Sequence, residues 1–257
     1  MHLIGIKSSI RKEEIKNKLK VKPKLLELFL TTKDLDVAKL ENRINYILKL
    51  RSNIKISLHS PVSILTKNTI SLMSNKIFLF LDVCVKLIEK FNNEKNIIIA
   101  IILHPDSIFN FMSRRNILDK NIIKLKKKYH ILIEYIYFEN LPTKLLTPFE
   151  NFLSILKEHN LNNICFDMAH FTGFNSEENL LKILGKLKGS YNLYFHISDN
   201  FYNSKNTKPL NIGLGEINFK PLKKYIELGI LETKSNPEVI GKEITEDYIK
   251  LIKIFND

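Results

Sequence analysis

Six apolar, strand-like runs of this chain end in a side chain that can bind a metal ion. They are Ile56-Ser-Leu-His59, Ile101-Ile-Leu-His104, Ile136-Tyr-Phe-Glu139, Asn163-Ile-Cys-Phe-Asp167, Leu193-Tyr-Phe-His196 and Val239-Ile-Gly-Lys-Glu243. One such ending is commonplace. Their recurrence points to parallel strands that deliver their C-terminal ends to one shared place, as a closed barrel does.

The rest of the pattern agrees with a barrel. Strand-like runs at 2–6, 25–31, 54–59, 97–103, 131–139, 163–167, 192–196 and 239–243 alternate with amphipathic ones. The latter lie at 10–19, 35–51, 69–92, 114–128, 144–159, 176–188, 218–228 and 245–256, with spacings such as Ile77, Leu81, Val85 and Ile88. Strand–helix alternation over 257 residues predicts an α/β fold, a single (β/α)₈ barrel spanning 1–257. A doubly wound open sheet is the runner-up, but no Gly-x-Gly-x-x-Gly follows the first strand. The one long irregular stretch, 197–217, is expected over the C-terminal face of the barrel.

Composition limits the setting. The two cysteines, Cys84 and Cys165, both sit in apolar runs and are expected to be buried free thiols. The N-terminus lacks the order of a signal peptide, and no apolar stretch approaches the roughly 20 residues that cross a bilayer. A soluble cytoplasmic protein with no membrane partner is the expectation. The net charge of +13 would suit a polyanion, but lysines are scattered over many helices. Pattern rather than total marks a nucleic-acid face. The densest cluster, Lys124-Leu-Lys-Lys-Lys128, reads as a solvated helix end.

Each polar strand end has a bland explanation: a hydrogen-bonded core histidine, or a carboxylate capping the next helix. Jointly they do not, because burying several carboxylates and imidazoles together costs heavily unless a cation compensates. Glu139, Asp167, His196 and Glu243 would form one site for a divalent metal such as Zn²⁺, Mn²⁺, Co²⁺ or Fe²⁺. His59 and His104 would extend it to a second metal sharing Glu139. His170, three residues after Asp167, can reach the same cavity. His2, His130 and His159 lack this placement.

As a set these motifs resemble the xylose isomerase-like TIM-barrel superfamily, over nearly the whole chain and in order. They are Leu58-His59-Ser-Pro61, His104-Pro-Asp-Ser107, Glu139-Asn140, Asp167-Met-Ala-His170, His196-Ile-Ser-Asp199, Gly213-Leu-Gly215-Glu216 and Glu243. The endonuclease IV branch implies a trinuclear zinc site. His59, His104 and Glu139 match its first metal, Glu139, Asp167, His196 and Glu243 its second, and His170 one ligand of its third. The Asp-x-His element that completes the third is replaced by Lys208-Pro-Leu-Asn-Ile212. The loops after the first two strands read Lys7-Ser-Ser-Ile10 and Thr31-Thr-Lys-Asp34, unlike the glycine-rich and DNA-contacting loops of that branch. The isomerase and epimerase branch implies one divalent metal (Zn, Mn, Co or Mg) on Glu139, Asp167, His196 and Glu243, with His170 contacting substrate. Glu27 resembles the acidic second strand of that branch and is its second substrate contact.

The resemblance therefore implies a metal-dependent sugar or sugar-phosphate isomerase or epimerase. Glu139 and Glu243 would move a proton through an enediolate, and the partner would be a small sugar. The alternatives are a two-metal AP endonuclease acting on DNA, and a non-catalytic metal- or sugar-binding barrel. Neither a Gly-x-Ser-x-Gly elbow nor a P-loop competes.

Overall fold

The computed structural model describes residues 2–61, 71–105, 115–140, 146–233 and 242–256, the side chains of 146–148 and 242–243 excepted. Eight parallel strands close into a barrel in sequence order. They are β1 (Leu3–Ser9), β2 (Leu25–Phe29), β3 (Lys55–His59), β4 (Ile98–Leu103), β5 (Ile136–Glu139), β6 (Asn163–Asp167), β7 (Asn192–Ile197) and β8 (Leu228–Leu231), and β8 pairs with β1 to close the ring. The described helices are α1 (Lys12–Lys18), α2 (Val37–Leu50), α3 (Ile77–Phe91), α4 (Arg115–Lys128), α5 (Leu146–Glu158), α6 (Met168–Thr172), α7 (Glu177–Leu187) and α8 (Lys242–Asn256). The single-barrel expectation is met.

Local chemistry explains most elements. Ile98-Ile-Ala-Ile-Ile-Leu103 is apolar throughout, as a parallel strand covered on both faces requires. Helix α2 starts where the Asp36 side chain accepts the Lys39 amide, and it buries Leu40, Ile44 and Ile47 on one stripe. Helix α7 starts on Ser176 in the same manner and buries Leu180, Leu184 and Leu187. Helix α3 buries Ile77, Phe80, Leu81, Cys84 and Ile88, so Cys84 is a core residue.

The interior of the barrel is layered by the two-residue period of the strands. Leu25, Ile102, Tyr137, Cys165, Tyr194 and Ile230 pack as one apolar cluster. Each stands two residues before a polar group at the strand end: Glu27, His104, Glu139, Asp167, His196 and Glu232. Ser57 holds the corresponding place under His59 and shares a 2.8 Å hydrogen bond with Tyr194 Oη. This layer is a dry floor.

The eighth strand corrects the expectation. Residues 220–225, within the run expected as a helix at 218–228, form turns, although Phe219, Leu222 and Ile226 are buried as a helical stripe would be. Strand β8 follows at Leu228–Leu231. The run expected as a strand at 239–243 is not β8: 239–241 lie outside the described residues and Glu243 falls in α8. Val239-Ile240 has the higher β propensity, whereas Leu228-Gly-Ile-Leu231 is short and carries a glycine. That glycine has a packing reason, because a Cβ on Gly229 would stand 2.6 Å from the Phe195 carbonyl oxygen on β7.

Over the barrel mouth, the 197–217 segment is tied down by one carboxylate. Asp199 accepts the amides of Gly213 (2.8 Å), Gly215 (3.0 Å) and Ile217 (3.1 Å). Gly213 sits at φ +89°, where a side chain is strained. Asn200 Nδ2 donates to the carbonyls of Ala169 and Asn206. Asp199 and Asn200 thus shape the loop.

Replacing Gly229 by alanine should overpack the β7–β8 contact by about 1–3 kcal/mol, a fall in Tm of roughly 3–10 °C. Thermal unfolding monitored by circular dichroism measures it, and an unchanged Tm would show that the strands separate freely there.

Candidate metal centre

All eight strands bring one ionisable side chain to the same end of the barrel. In strand order these are Lys7, Glu27, His59, His104, Glu139, Asp167, His196 and Glu232, the fourth and eighth lying one residue past their strands. Glu139 joins them. Its Oε2 lies 3.2 Å from His59 Nε2 and 3.0 Å from His104 Nε2, while its Oε1 faces His196 Nδ1 at 3.5 Å and His170 Nδ1 at 3.7 Å. His59, His104 and Glu139 form one group whose ligand atoms lie within 4.8 Å of one another, and Asp167, His196 and Glu232 form another.

The supporting hydrogen bonds orient the rings. His196 Nε2 meets Glu27 Oε2 at 3.2 Å, and Glu27 Oε2 also accepts Tyr194 Oη at 2.9 Å. With its Nε2 proton spent on Glu27, the lone pair of His196 Nδ1 points at Glu139, Asp167 and Glu232. His59 Nδ1 donates to the Ser60 carbonyl at 2.8 Å, which leaves Nε2 as its ligand atom. His170 Nδ1 donates to the Asn140 carbonyl at 2.9 Å and leaves Nε2 uncommitted. Asp167 serves two purposes: Oδ1 accepts the His170 amide and caps α6, while Oδ2 lies 3.7 Å from His196 Nδ1.

The group fits a divalent cation. Glu27, Glu139, Asp167 and Glu232 contribute four carboxylates against the single ammonium of Lys7, with Glu27, Glu139 and Asp167 buried. His196 Nδ1 and Glu232 Oε2 face each other at 3.0 Å, yet both are buried atoms without a hydrogen bond. Atoms so placed are what a metal would satisfy. Protonation follows the charge. Burial would raise the Glu139 carboxyl, but His104 and His196 hold it well below the usual range. Burial is likewise outweighed at Glu232, by Lys7 and His196. Burial, reinforced by Lys7, keeps His59 neutral and fit to ligate. Burial opposes protonation of His196, but the surrounding carboxylates lift it well above its ordinary value, holding a proton where a cation belongs.

Several expectations need adjusting. Glu243, expected as the last ligand, stands at the start of α8 rather than ending a strand, and its side chain lies outside the described residues; the eighth strand brings Glu232 to the mouth. Asp106 and Ser107 of the His104 motif also lie outside the described residues. Glu27, expected to contact substrate, is fully buried beneath the site between Tyr194, His196 and Lys7. Lys7, expected in the loop after the first strand, stands within β1, which runs on to Ser9. Its ammonium lies 2.8 Å from Glu232 Oε1, 3.6 Å from Glu27 Oε1 and 5.3 Å from the Phe29 ring centroid. Burial disfavours its charge, but Glu232, Glu27 and Glu139 outweigh that and raise its pKa. The signal was the apolar run Leu3-Ile-Gly-Ile6 ending in an ionisable residue, as the other strand runs do. A cavity of about 400 Å³ opens above these groups, lined by Lys7, His59, His104, Glu139, His170 and Glu232 on its inner side.

Saturating Mn²⁺ or Zn²⁺ at a hundred times Kd should stabilise the protein by about 2.7 kcal/mol, raising Tm by roughly 5–10 °C. Glu139→Gln should remove most of that shift, since this carboxylate belongs to one ligand group and faces His196 of the other. Differential scanning calorimetry with and without chelator reads it, and an equal shift in the variant would place the metal elsewhere.

No family model matches the chain, and no curated protein matches it. Solved structures do. A xylose isomerase domain protein from Planctomyces limnophilus superposes with a TM-score of 0.70 at 12% identity, covering 99% of this chain and 96% of that one. A sugar phosphate isomerase/epimerase from Parabacteroides distasonis gives 0.57 at 13%, covering 97% of each. SacUVDE gives 0.56 at 18%, covering 95% of this chain and 85% of that one. The chain thus shares the closed (β/α)₈ barrel fold of these structures.

Proposed function

We propose that this protein is a divalent-metal-dependent isomerase or epimerase of a sugar or sugar phosphate. The observation that carries this reading is the pair of carboxylates, Glu139 and Glu232, which line one small cavity from β5 and β8 and meet at His196. Asp167, His196 and Glu232, with Glu139, would hold the metal, which when bound supplies Lewis-acid polarisation of a carbonyl. One of the two glutamates, ionised at the start, would take the proton from the carbon next to the carbonyl, giving an enediolate, and return that proton to the neighbouring carbon, so that it ends the cycle as the carboxylate it began, while the other stays ionised and holds the metal. His170 lines the cavity, and its Nε2, left free by the bond from Nδ1 to Asn140, would hold a substrate hydroxyl. The apolar floor and the Asp199-tied loop keep the ligands in register while substrate exchanges.

A second reading rests on a different observation. His59 and His104 converge on Glu139 Oε2, a group the isomerase reaction does not need. Two ions about 3.5–4 Å apart would serve phosphoester hydrolysis. The Lys208–Ile212 stretch brings no third ligand set, because it holds neither an aspartate nor a histidine.

With Mn²⁺ and a panel of aldoses, ketoses and their phosphates in D₂O, deuterium should enter the carbon adjacent to the carbonyl. Glu232→Gln should reduce that exchange by about 10²–10⁴-fold. Exchange by the variant at the wild-type rate, or none by the wild type on any sugar, sinks the isomerase reading. Hydrolysis predicts nicking of an abasic-site duplex with Zn²⁺, Mn²⁺ or Co²⁺, abolished by His104→Ala. An intact duplex under all three metals removes it.

A further inference from the structure

The cavity is bipolar. Its inner side carries the metal-type ligands, and its other side is built from the end of β1 and the start of α1: Ser8, Ser9, Arg11, Glu14 and Lys18. Two cations there share one carboxylate. Lys18 Nζ lies 2.6 Å from Glu14 Oε1, and Arg11 Nη2 lies 3.2 Å from Glu14 Oε2. Glu14 is fixed as an anion: burial would raise it, but Lys18 and the hydrogen bonds from Ser9 bring it down to about 2. One positive charge is left over.

The donors are not exhausted. The Lys18 side chain is only 5% exposed, a rare burial for an ammonium. It spends two of its three N–H groups, on Glu14 and on the Lys7 carbonyl at 2.5 Å. Arg11 spends Nε on Ser9 Oγ and Nη2 on Glu14. Burial, with Lys7 and Arg11 close by, lowers the Lys18 pKa despite Glu14, so a cation this buried with an N–H to spare is stabilised by a further negatively charged oxygen. Lys7, at the join between the two sides, is already committed to Glu232.

We propose that Arg11 and Lys18 form an oxyanion subsite, so that the substrate of this cavity is an anionic sugar derivative, a sugar phosphate or sugar acid, rather than a neutral sugar. The carbonyl end lies toward Glu139 and Glu232, and the anionic end toward α1. This inference rests on the isomerase reading for the identity of the sugar, but the subsite is measurable without turnover.

The test is calorimetric titration of the Mn²⁺-loaded protein with glycolate, phosphoglycolate and tartronate. Glycolate reports the metal side alone; the other two add a phosphate or a second carboxylate. The wild type should bind phosphoglycolate or tartronate at least about tenfold tighter than glycolate, the worth of one charged hydrogen bond. The better of the two identifies the anionic group. Arg11→Met and Lys18→Met should each erase about tenfold of that preference while leaving glycolate affinity and bound Mn²⁺ unchanged. Arg11 is 63% exposed along its side chain, so its variant will fold even where Lys18→Met does not. No preference in the wild type, or the same preference in Arg11→Met, overturns the subsite. Absence of sugar turnover with the preference intact would instead overturn the isomerase reading and leave the subsite standing.

Discussion

The two oxygens of Glu139 face in different directions, and the site is organised around that division. Oε2 belongs to His59 and His104, and Oε1 to His196 and His170. A carboxylate so placed joins ligands from β3 and β4 to ligands from β6, β7 and β8. It is also buried, so it must be neutralised from both sides or not be ionised at all. The neighbouring histidines provide part of that compensation, and a divalent cation would provide the rest. Every other polar group in the barrel mouth is placed by its relation to this one.

Such a concentration of charge requires a rigid support. The layer below, from Leu25 to Ile230, holds it by packing, since each member sits on the same strand face as the polar residue two positions later. The hydroxyls of Ser57 and Tyr194 there are spent on each other and on Glu27. Glu27 passes the constraint upward by fixing the His196 ring. Cys165 lies in the floor, where burial pushes its thiol up. It therefore remains a neutral packing group within reach of the ligands.

The sequence reveals this arrangement where chemistry and pattern coincide. His59, His104, Glu139, Asp167 and His196 each end an apolar run, and each arrives at the barrel mouth. Asp167 shows why the bland and functional explanations need not compete, because one of its oxygens caps α6 and the other turns to the site. The pattern misleads at β8. A four-residue strand with a glycine carries a weak signal, and its β-branched competitor at 239–240 carries a strong one. What decides is a contact: only glycine fits against the Phe195 carbonyl. That is a tertiary fact, and no local propensity contains it. Glu232 and Glu243 consequently differ not in chemistry but in which of two apolar runs pairs with β7 and β1.

Lys7 exposes a second kind of blindness. A lysine in a Lys-rich chain attracts no notice, and polar strand ends were sought as metal ligands, which an ammonium cannot be. In a ring of eight strands β1 stands opposite β5, so Lys7 faces Glu139 across the barrel. Its position between Glu27 and Glu232 balances one of four negative charges. Without it the described part of the mouth would set four carboxylates against one imidazole, His196, that the surrounding charge holds protonated. With it, two cations face four anions, and the negative charge that remains is what makes the described groups fit a divalent cation.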